Sequence, residues 1–240
     1  MPTFRHGKKT AVLFNGTDMS PFLNEATTTQ EIETAETTTF SDSDKTYITG
    51  LADGTISTSG LFDSSAGASD AVLSGMIQQD DNTFTVLPAG NAIGNRAIIA
   101  NGQLTTYEIS SPVSDVIAIS AEIQADGGLL HGVALASAVN TGSASATTTG
   151  VNNGGSTANG GLYNLHVTSN THDGNSTIKV QHSSDDLTYV DLVTFTSVSA
   201  STTVGESITS TGTVNQYLRT LSNLAGASGS ITYHVAAARR

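Results

Sequence analysis

The side chains here with the widest chemical repertoire are six histidines: His6, His131, His166, His172, His182 and His234. None has the spacing that sets metal ligands on one face of a helix. His166, His182 and His234 instead fall in three segments with strand-like alternation, where neighbouring strands can bring two together, and the ordinary reading is sheet-surface histidine. Asp42-Ser43-Asp44, Asp80-Asp81 and Asp185-Asp186 offer oxygen ligands. They lack the loop pattern and the spaced bidentate Glu of a calcium site, and Asp in such places forms turns. The sequence has no Gly-x-x-x-x-Gly-Lys-Ser/Thr, no Gly-x-Gly-x-x-Gly, no His-Glu-x-x-His and no Gly-x-Ser-x-Gly. The segment from Gly90 to Arg96 (GNAIGNR) has the glycines of a phosphate loop without its Lys-Ser/Thr and without a following helix. With no cysteine, disulfide scaffolds, thiolate metal sites and cysteine nucleophiles are excluded. Sugar platforms need exposed aromatic rings, and there is no Trp. Tyr163, Tyr189, Tyr217 and Tyr233 sit on expected strands, where core or cross-strand packing accounts for them. The expectation is a protein that is not an enzyme, with no cofactor and no metal.

The elements that must carry these residues are strands. The chain has 240 residues, 37% of them hydrophobic, with 24 Gly, 4 Pro and only 9 Lys and Arg, so it is poor in the residues of long soluble helices. Period-2 apolar runs recur from residue 46 to 236. Strands are expected at 11–14, 55–62, 96–100, 103–109 and 116–125. In the last, Ile117, Ile119, Ala121, Ile123 and Ala125 alternate with Ser120, Glu122 and Gln124. Thr27 to Thr49 holds nine threonines with Glu31, Glu33, Glu36, Asp42 and Asp44, and reads as a polar strand or an ordered loop. One short helix is expected after Ser69 or Asp70, with Val72, Leu73, Met76 and Ile77 on one face. Residues 140–161 have almost no apolar content and read as a linker or exposed loop. About five strands then follow, among them 162–168, 187–196, 213–221 and 230–237. They form a second, smaller β-sandwich or continue the first sheet.

The net charge of −12 is unevenly placed. Residues 11–135 hold 16 acids and 2 bases, a net of −14, whereas Arg5, Lys8 and Lys9 put +3 in the first ten residues. A nucleic-acid reader needs the opposite sign, because phosphate affinity comes from Lys and Arg. An acidic surface repels DNA, recruits a basic partner or keeps the protein in solution. No apolar run is long enough for a signal peptide or a membrane span, so the expectation is a chain made in a reducing cytosol, with no membrane partner.

Several segments together resemble a known family. They are Glu33–Phe40 (ETAETTTF), Lys45–Leu51 (KTYITGL) and Asp53–Asp63 (DGTISTSGLFD), then a short helix, Thr106–Val113 (TYEISSPV) and the strand to Ala125. The opening Phe4–Lys8 (FRHGK) and the close His234–Arg240 (HVAAARR) match a subset of the same proteins. This pattern resembles the tail tube, or major tail, proteins of long-tailed bacteriophages and covers roughly residues 4–130. The resemblance implies an all-β fold with one short helix, in which a tail-tube-like β-sandwich or barrel spans 1–139. A Gly/Ser/Thr-rich linker at 140–161 would lead to an accessory β-sandwich at 162–240 on the tube exterior. It also implies hexameric rings that stack into a tube conducting genomic DNA without specific binding. The partners would be further copies and other tail proteins, in a virion tail assembled in the host bacterial cytoplasm. On that basis Glu31, Glu33 and Glu36 are candidate lumen residues, and Arg5, Lys8, Lys9, Asp42 and Asp44 candidate subunit contacts. A capsid decoration protein and a carbohydrate-binding adhesion module are the alternatives.

Overall fold

The segments 96–100 and 103–109 fuse into one strand of 15 residues, Arg96–Ser110. Between them Gly102 is a site of close approach: a Cβ there would lie 2.1 Å from the carbonyl oxygen of Gln124. The structure, a computed structural model, describes residues 4–240. In chain order its strands are β1 (Ala11–Phe14), β2 (Thr17–Asp18), β3 (Leu23–Glu36), β4 (Tyr47–Leu61), β5 (Asn82–Leu87), β6 (Arg96–Ser110), β7 (Ala118–Ala125) and β8 (Leu130–Thr141). There follow β9 (Ser145–Thr147), β10 (Val151–Asn152), β11 (Gly161–Asn170), β12 (Ser176–Ser183), β13 (Val190–Thr194), β14 (Val204–Ser210), β15 (Tyr217–Leu224) and β16 (Ser230–Arg239). Helix α1 (Ser69–Met76) lies between β4 and β5. The protein is all-β with one short helix.

Eleven strands form one antiparallel sheet. Its path runs β14-β11-β16-β8-β6-β5-β1-β2, and a branch leaves β6 through β7 to β4 and β3. A second sheet of five strands runs β10-β15-β12-β13, with β9 also on β15. Apolar alternation builds the layers. One face of β4 and β7 supplies Ile56, Ile119 and Ile123 to a core with Phe14, Phe84, Leu73 and Met76 from β1, β5 and α1. Phe14 and Phe84 meet edge-to-face, with centroids 5.0 Å apart. β11 is buried on both faces: Tyr163, Leu165 and Val167 pack against Ile178, Val180 and Leu218 of the second sheet. Its alternate residue Leu162 packs with Leu13, Ile99 and Ala236.

Three expectations change in this light. Residues 140–161 are not a bare linker. β8 runs to Thr141, and β9 and β10 add to the second sheet, so β15 satisfies their backbone groups although they have little to bury. Residues 162–240 do both things the pattern left open: β11, β14 and β16 extend the first sheet, while β12, β13 and β15 form the second layer of a C-terminal sandwich. The helix is capped by Ala68 without a side-chain bond. Ser69 instead donates to the Leu61 carbonyl at 2.9 Å and accepts from the Asp63 N–H at 2.9 Å, tying the helix start to β4. Ile77, expected on its apolar face, is 45% exposed.

Residues 29–53 are exposed without exception. Limited proteolysis of the free subunit is therefore expected to cut first between 37 and 46, the turn of this hairpin, ahead of 140–161, where β9, β10 and a bridge at Thr157 pair part of the backbone. First cleavage within 145–147 or 151–152, read by mass spectrometry, would contradict the strand assignment there.

Candidate functional site

β3, β4, β7 and the second half of β6 lie side by side, and their registers align their polar residues in rows. Glu25, Ser59, Ser120 and Glu108 form one row. Thr27, Ser57, Glu122 and Thr106 form the next. Thr29, Thr55, Gln124 and Gln103 form a third. The strand period of two puts these residues on one face and Ile56, Ile123, Ala121 and Tyr107 on the other. The apolar side packs on α1, where the Tyr107 hydroxyl donates to Asp70 at 2.7 Å. Burial, and then this bond to a carboxylate, push the Tyr107 hydroxyl far above its ordinary pKa. The polar side is a shallow trough lined only by Glu, Ser, Thr and Ala. Glu25, Glu108 and Glu122 are exposed on it, and no Lys or Arg stands in the three rows.

Both edges of this four-stranded patch are open. β3 pairs only with β4, and residues 103–110 of β6 pair only with β7 among the described residues. The strands alternate in direction from β3 to β6, so the two open edges run antiparallel to each other. Past Gln124 the hairpin of β3 and β4 continues alone as an arm, with Glu31 opposite Asp53, Ala35 opposite Ile48 and Glu36 opposite Tyr47. Five large apolar side chains on it, Ile32, Phe40, Tyr47, Ile48 and Leu51, are more than half exposed.

Of the candidate lumen residues, Glu31 and Glu33 continue the strand face that carries Glu25, Thr27 and Thr29, whereas Glu36 points to the opposite face. There it pairs with Lys45 at 3.2 Å. Asp42 and Asp44 stand at the arm tip. The Asp42 carboxylate accepts from the Thr39 N–H at 2.7 Å and from its hydroxyl at 3.0 Å, and those bonds hold it below the usual carboxylate range. Lys8 and Lys9 end a short 3-10 turn (Gly7–Lys9), and Arg5 donates to the Ala89 carbonyl at 3.2 Å. His6, Lys8, Leu23 and Glu25 border one hollow. The basic residues thus sit where β3 begins and the acidic tip where it ends, on the order of 40 Å apart for a strand of this length. Glu25, Glu108 and Glu122 are a site that residue spacing alone did not single out. The alternation of Ser120, Glu122 and Gln124 was visible, but their row partners on β3 and β6 come from strand pairing across 12 to 95 positions of sequence. Among the described residues no three His, Asp or Glu side chains converge as a metal site.

No family model matches the sequence, and no curated protein does. Solved structures similar in fold include the virion of a native gene transfer agent particle, at 12% identity over 52% of this chain and 97% of that one, with a TM-score of 0.44. The SPP1 tail tube is similar at 13% identity, over 52% of this chain and 77% of that one, with a TM-score of 0.45. The SPP1 Dit protein, described as a hub adsorption apparatus of phages infecting Gram-positive hosts, is similar over 95% of this chain and 98% of that one, at 12% identity and a TM-score of 0.37. At these identities the likeness is one of fold.

Glu31 and Asp53 are like charges directly across a two-stranded ladder, an arrangement that costs stability. The Glu31→Gln variant is expected to stabilise the arm by about 0.2–1 kcal/mol. The readout is slower hydrogen exchange in residues 29–36 of the free subunit, and unchanged exchange there would show that the pair carries no repulsion.

Proposed function

We propose that this chain is a structural, non-enzymatic subunit of a bacteriophage tail tube, polymerising as stacked hexameric rings around a channel for DNA. The observation that carries the reading is the four-stranded polar patch with two open, mutually antiparallel edges. Exposed strand edges invite pairing with another chain. Here β3 of one copy and residues 103–110 of β6 in the next continue the alternation without a break, because four strands per copy is an even number. A ring formed this way closes, and six copies supply twenty-four strands, a barrel roughly 40 Å across its backbone. Barrels that wide are not filled by their own side chains. The apolar face is already covered by α1 and β1, so the Ser, Thr and Glu rows line the inside. On this reading the lumen carboxylates are Glu25, Glu108 and Glu122, joined by Glu31 and Glu33 where the arm prolongs the wall. Glu36 faces away. A wall with acids and no bases repels phosphate and keeps DNA from sticking in transit.

The arm and the basic N-terminal segment are the proposed contacts between copies. Arg5, Lys8 and Lys9 are too far from Asp42 and Asp44 to pair within one chain, so complementary charges meet only between chains. Exposed ion pairs contribute at most about 1 kcal/mol each, so they set register and encounter rate, while apolar arm residues and edge hydrogen bonds supply the affinity. The C-terminal sandwich, continuous with the sheet through β8 and β16, is placed outside the wall. The capsid-decoration and adhesion readings have no use for two complementary open edges.

Electron microscopy of the purified protein tests the assembly, with hollow tubes expected. In tubes carrying Glu25→Lys, Glu108→Lys and Glu122→Lys, duplex DNA is expected to bind at low salt and to be released steeply as salt rises. Lysine tubes that bind no DNA would place this face elsewhere than the lumen. Deleting residues 1–9 is expected to leave the monomer folded by circular dichroism and to raise the concentration needed for polymerisation. Assembly that is unchanged at low and moderate salt would remove the basic segment from the contact.

A further inference from the structure

Two of the histidines meet in the interior. His166 on β11 lies directly opposite His234 on β16, with Gly205 of β14 on its other side. His166 is fully buried. Its Nδ1 accepts from the Gly16 N–H at 3.2 Å, and its Nε2 is 2.9 Å from the Thr85 hydroxyl on β5. A backbone N–H can only donate, so Nδ1 carries no proton, and the ring is the neutral tautomer that donates from Nε2 to Thr85. A second proton would have to enter at Nδ1, where it would face the Gly16 N–H and break that bond.

The bond sits on a tight seam. A Cβ on Gly16 would come 2.5 Å from the Val204 carbonyl oxygen, and one on Gly205 would come 2.5 Å from Asn15 Cα. Both positions must be glycine for the β1–β2 turn to rest on β14. Two residues along β11, buried Asn164 donates to the carbonyls of Phe84 at 2.9 Å and Ala100 at 3.1 Å, and Ser207 of β14 lies 3.1 Å from the Thr83 hydroxyl. These bonds, with the apolar contact of Leu162 on Leu13 and Ile99, hold β11 and β14 to the Asn15–Gly16 turn, β5 and β6, and His166 is the one titratable group among them. His234 has its Nδ1 buried without a hydrogen-bond partner. Asp18 is the charged group facing it from β2, whereas Glu206 on β14 turns outward to the Thr196 N–H and hydroxyl.

We propose that this seam is an acid-opened latch: proton uptake at His166 and His234 parts β11 and β14 from the Asn15–Gly16 turn and β5, while the C-terminal sandwich stays closed. The opposite face of β11 is held by apolar packing against the second sheet, so β8, β16, β11 and the second sheet move as a unit about the β6–β8 pairing. Burial, with His234 a smaller cause, holds the His166 ring down to about 3, and burial lowers His234 against the pull of Asp18. Both lie below the unperturbed value of about 6.5, so the closed seam keeps its full stability above that pH and loses it as the pH falls toward 3, by up to tenfold per pH unit for each histidine. Carboxylates held low by hydrogen bonds, such as Asp185 at about 2, weaken the fold only in a more acidic window. His182 on β12 is also lowered by burial, so the measurement must resolve segments.

Hydrogen exchange read by mass spectrometry at about pH 7 and about pH 5, corrected for intrinsic exchange, provides that resolution. At the lower pH, exchange in the peptide carrying the Gly16 amide, released from His166 Nδ1, is expected to rise by tenfold or more, with 176–183 and 217–224 opening less, since His182 alone titrates there. In a His166→Gln, His234→Gln double variant this pH dependence is expected to vanish. Should that variant not fold, the His234→Gln single variant is expected to halve the dependence on a logarithmic scale. Equal protection at both pH values, simultaneous loss in both sheets, or full pH dependence without the histidines would overturn the proposal.

Discussion

β6 presents backbone groups on both sides along fifteen residues, and three partners take part of them in turn. Residues 98–102 have β5 on one side and residues 96–99 have β8 on the other; from Gly102 onward β7 takes the side of β8, and past Gly102 nothing takes the side of β5. An unpaired backbone group away from water is costly, so an edge left open in a strand of this length must face solvent or another chain. The handover at Gly102 divides the molecule. The first half of β6 belongs to the curled sheet that carries the C-terminal sandwich, and the second half belongs to the polar patch with its open edges. The arm, the helix and the acidic rows take their positions from that division.

Polarity is distributed to match. Where β11 is covered on both sides, its polar residues Asn164 and His166 are matched to donors and acceptors on the Asn15–Gly16 turn, β5, β6 and β14. Where β3, β4, β7 and β6 are covered on one side only, the free face carries hydroxyls and carboxylates. The unmatched positions are few: Thr58 on β4 buries a hydroxyl without a partner, as does Ser176 on β12. The acidic excess therefore lies on a solvated surface, where it costs the fold little and sets the sign of the field that any neighbour or passing polyanion meets.

Much of this was legible from residue order. Strict alternation in 116–125 gave both the strand and its polar side, because a sheet covered on one face leaves that pattern in the chain. The helix was legible from Leu73 and Met76, whose spacing matches its turn. Its cap was misread, since Ser69, a good cap by type, is engaged with β4 instead. The break expected between 100 and 103 was a glycine in mid-strand, and close approach of a backbone from a distant segment leaves no local trace. The same limit applies to Glu25, Glu108 and Glu122. Each looks like an ordinary exposed acid, and only the registers of three ladders make them one surface.

What the sequence determined by itself was the class of protein: strands from period-2 alternation, the acidic imbalance, and the absence of any motif for catalysis or metal binding. These are properties of composition and of spacing within about ten residues, the range over which a chain's own geometry sets which way side chains point. Tertiary structure decided which edges stay open, that 145–147 and 151–152 pair with β15 within an otherwise loop-like segment, that Glu36 leaves the face of Glu31 and Glu33, and that His166 meets His234. Each depends on strand register between segments tens of residues apart. A shift of one residue there turns every side chain to the opposite face, and the stability of one register over another comes from the whole packed layer, not from any stretch of sequence.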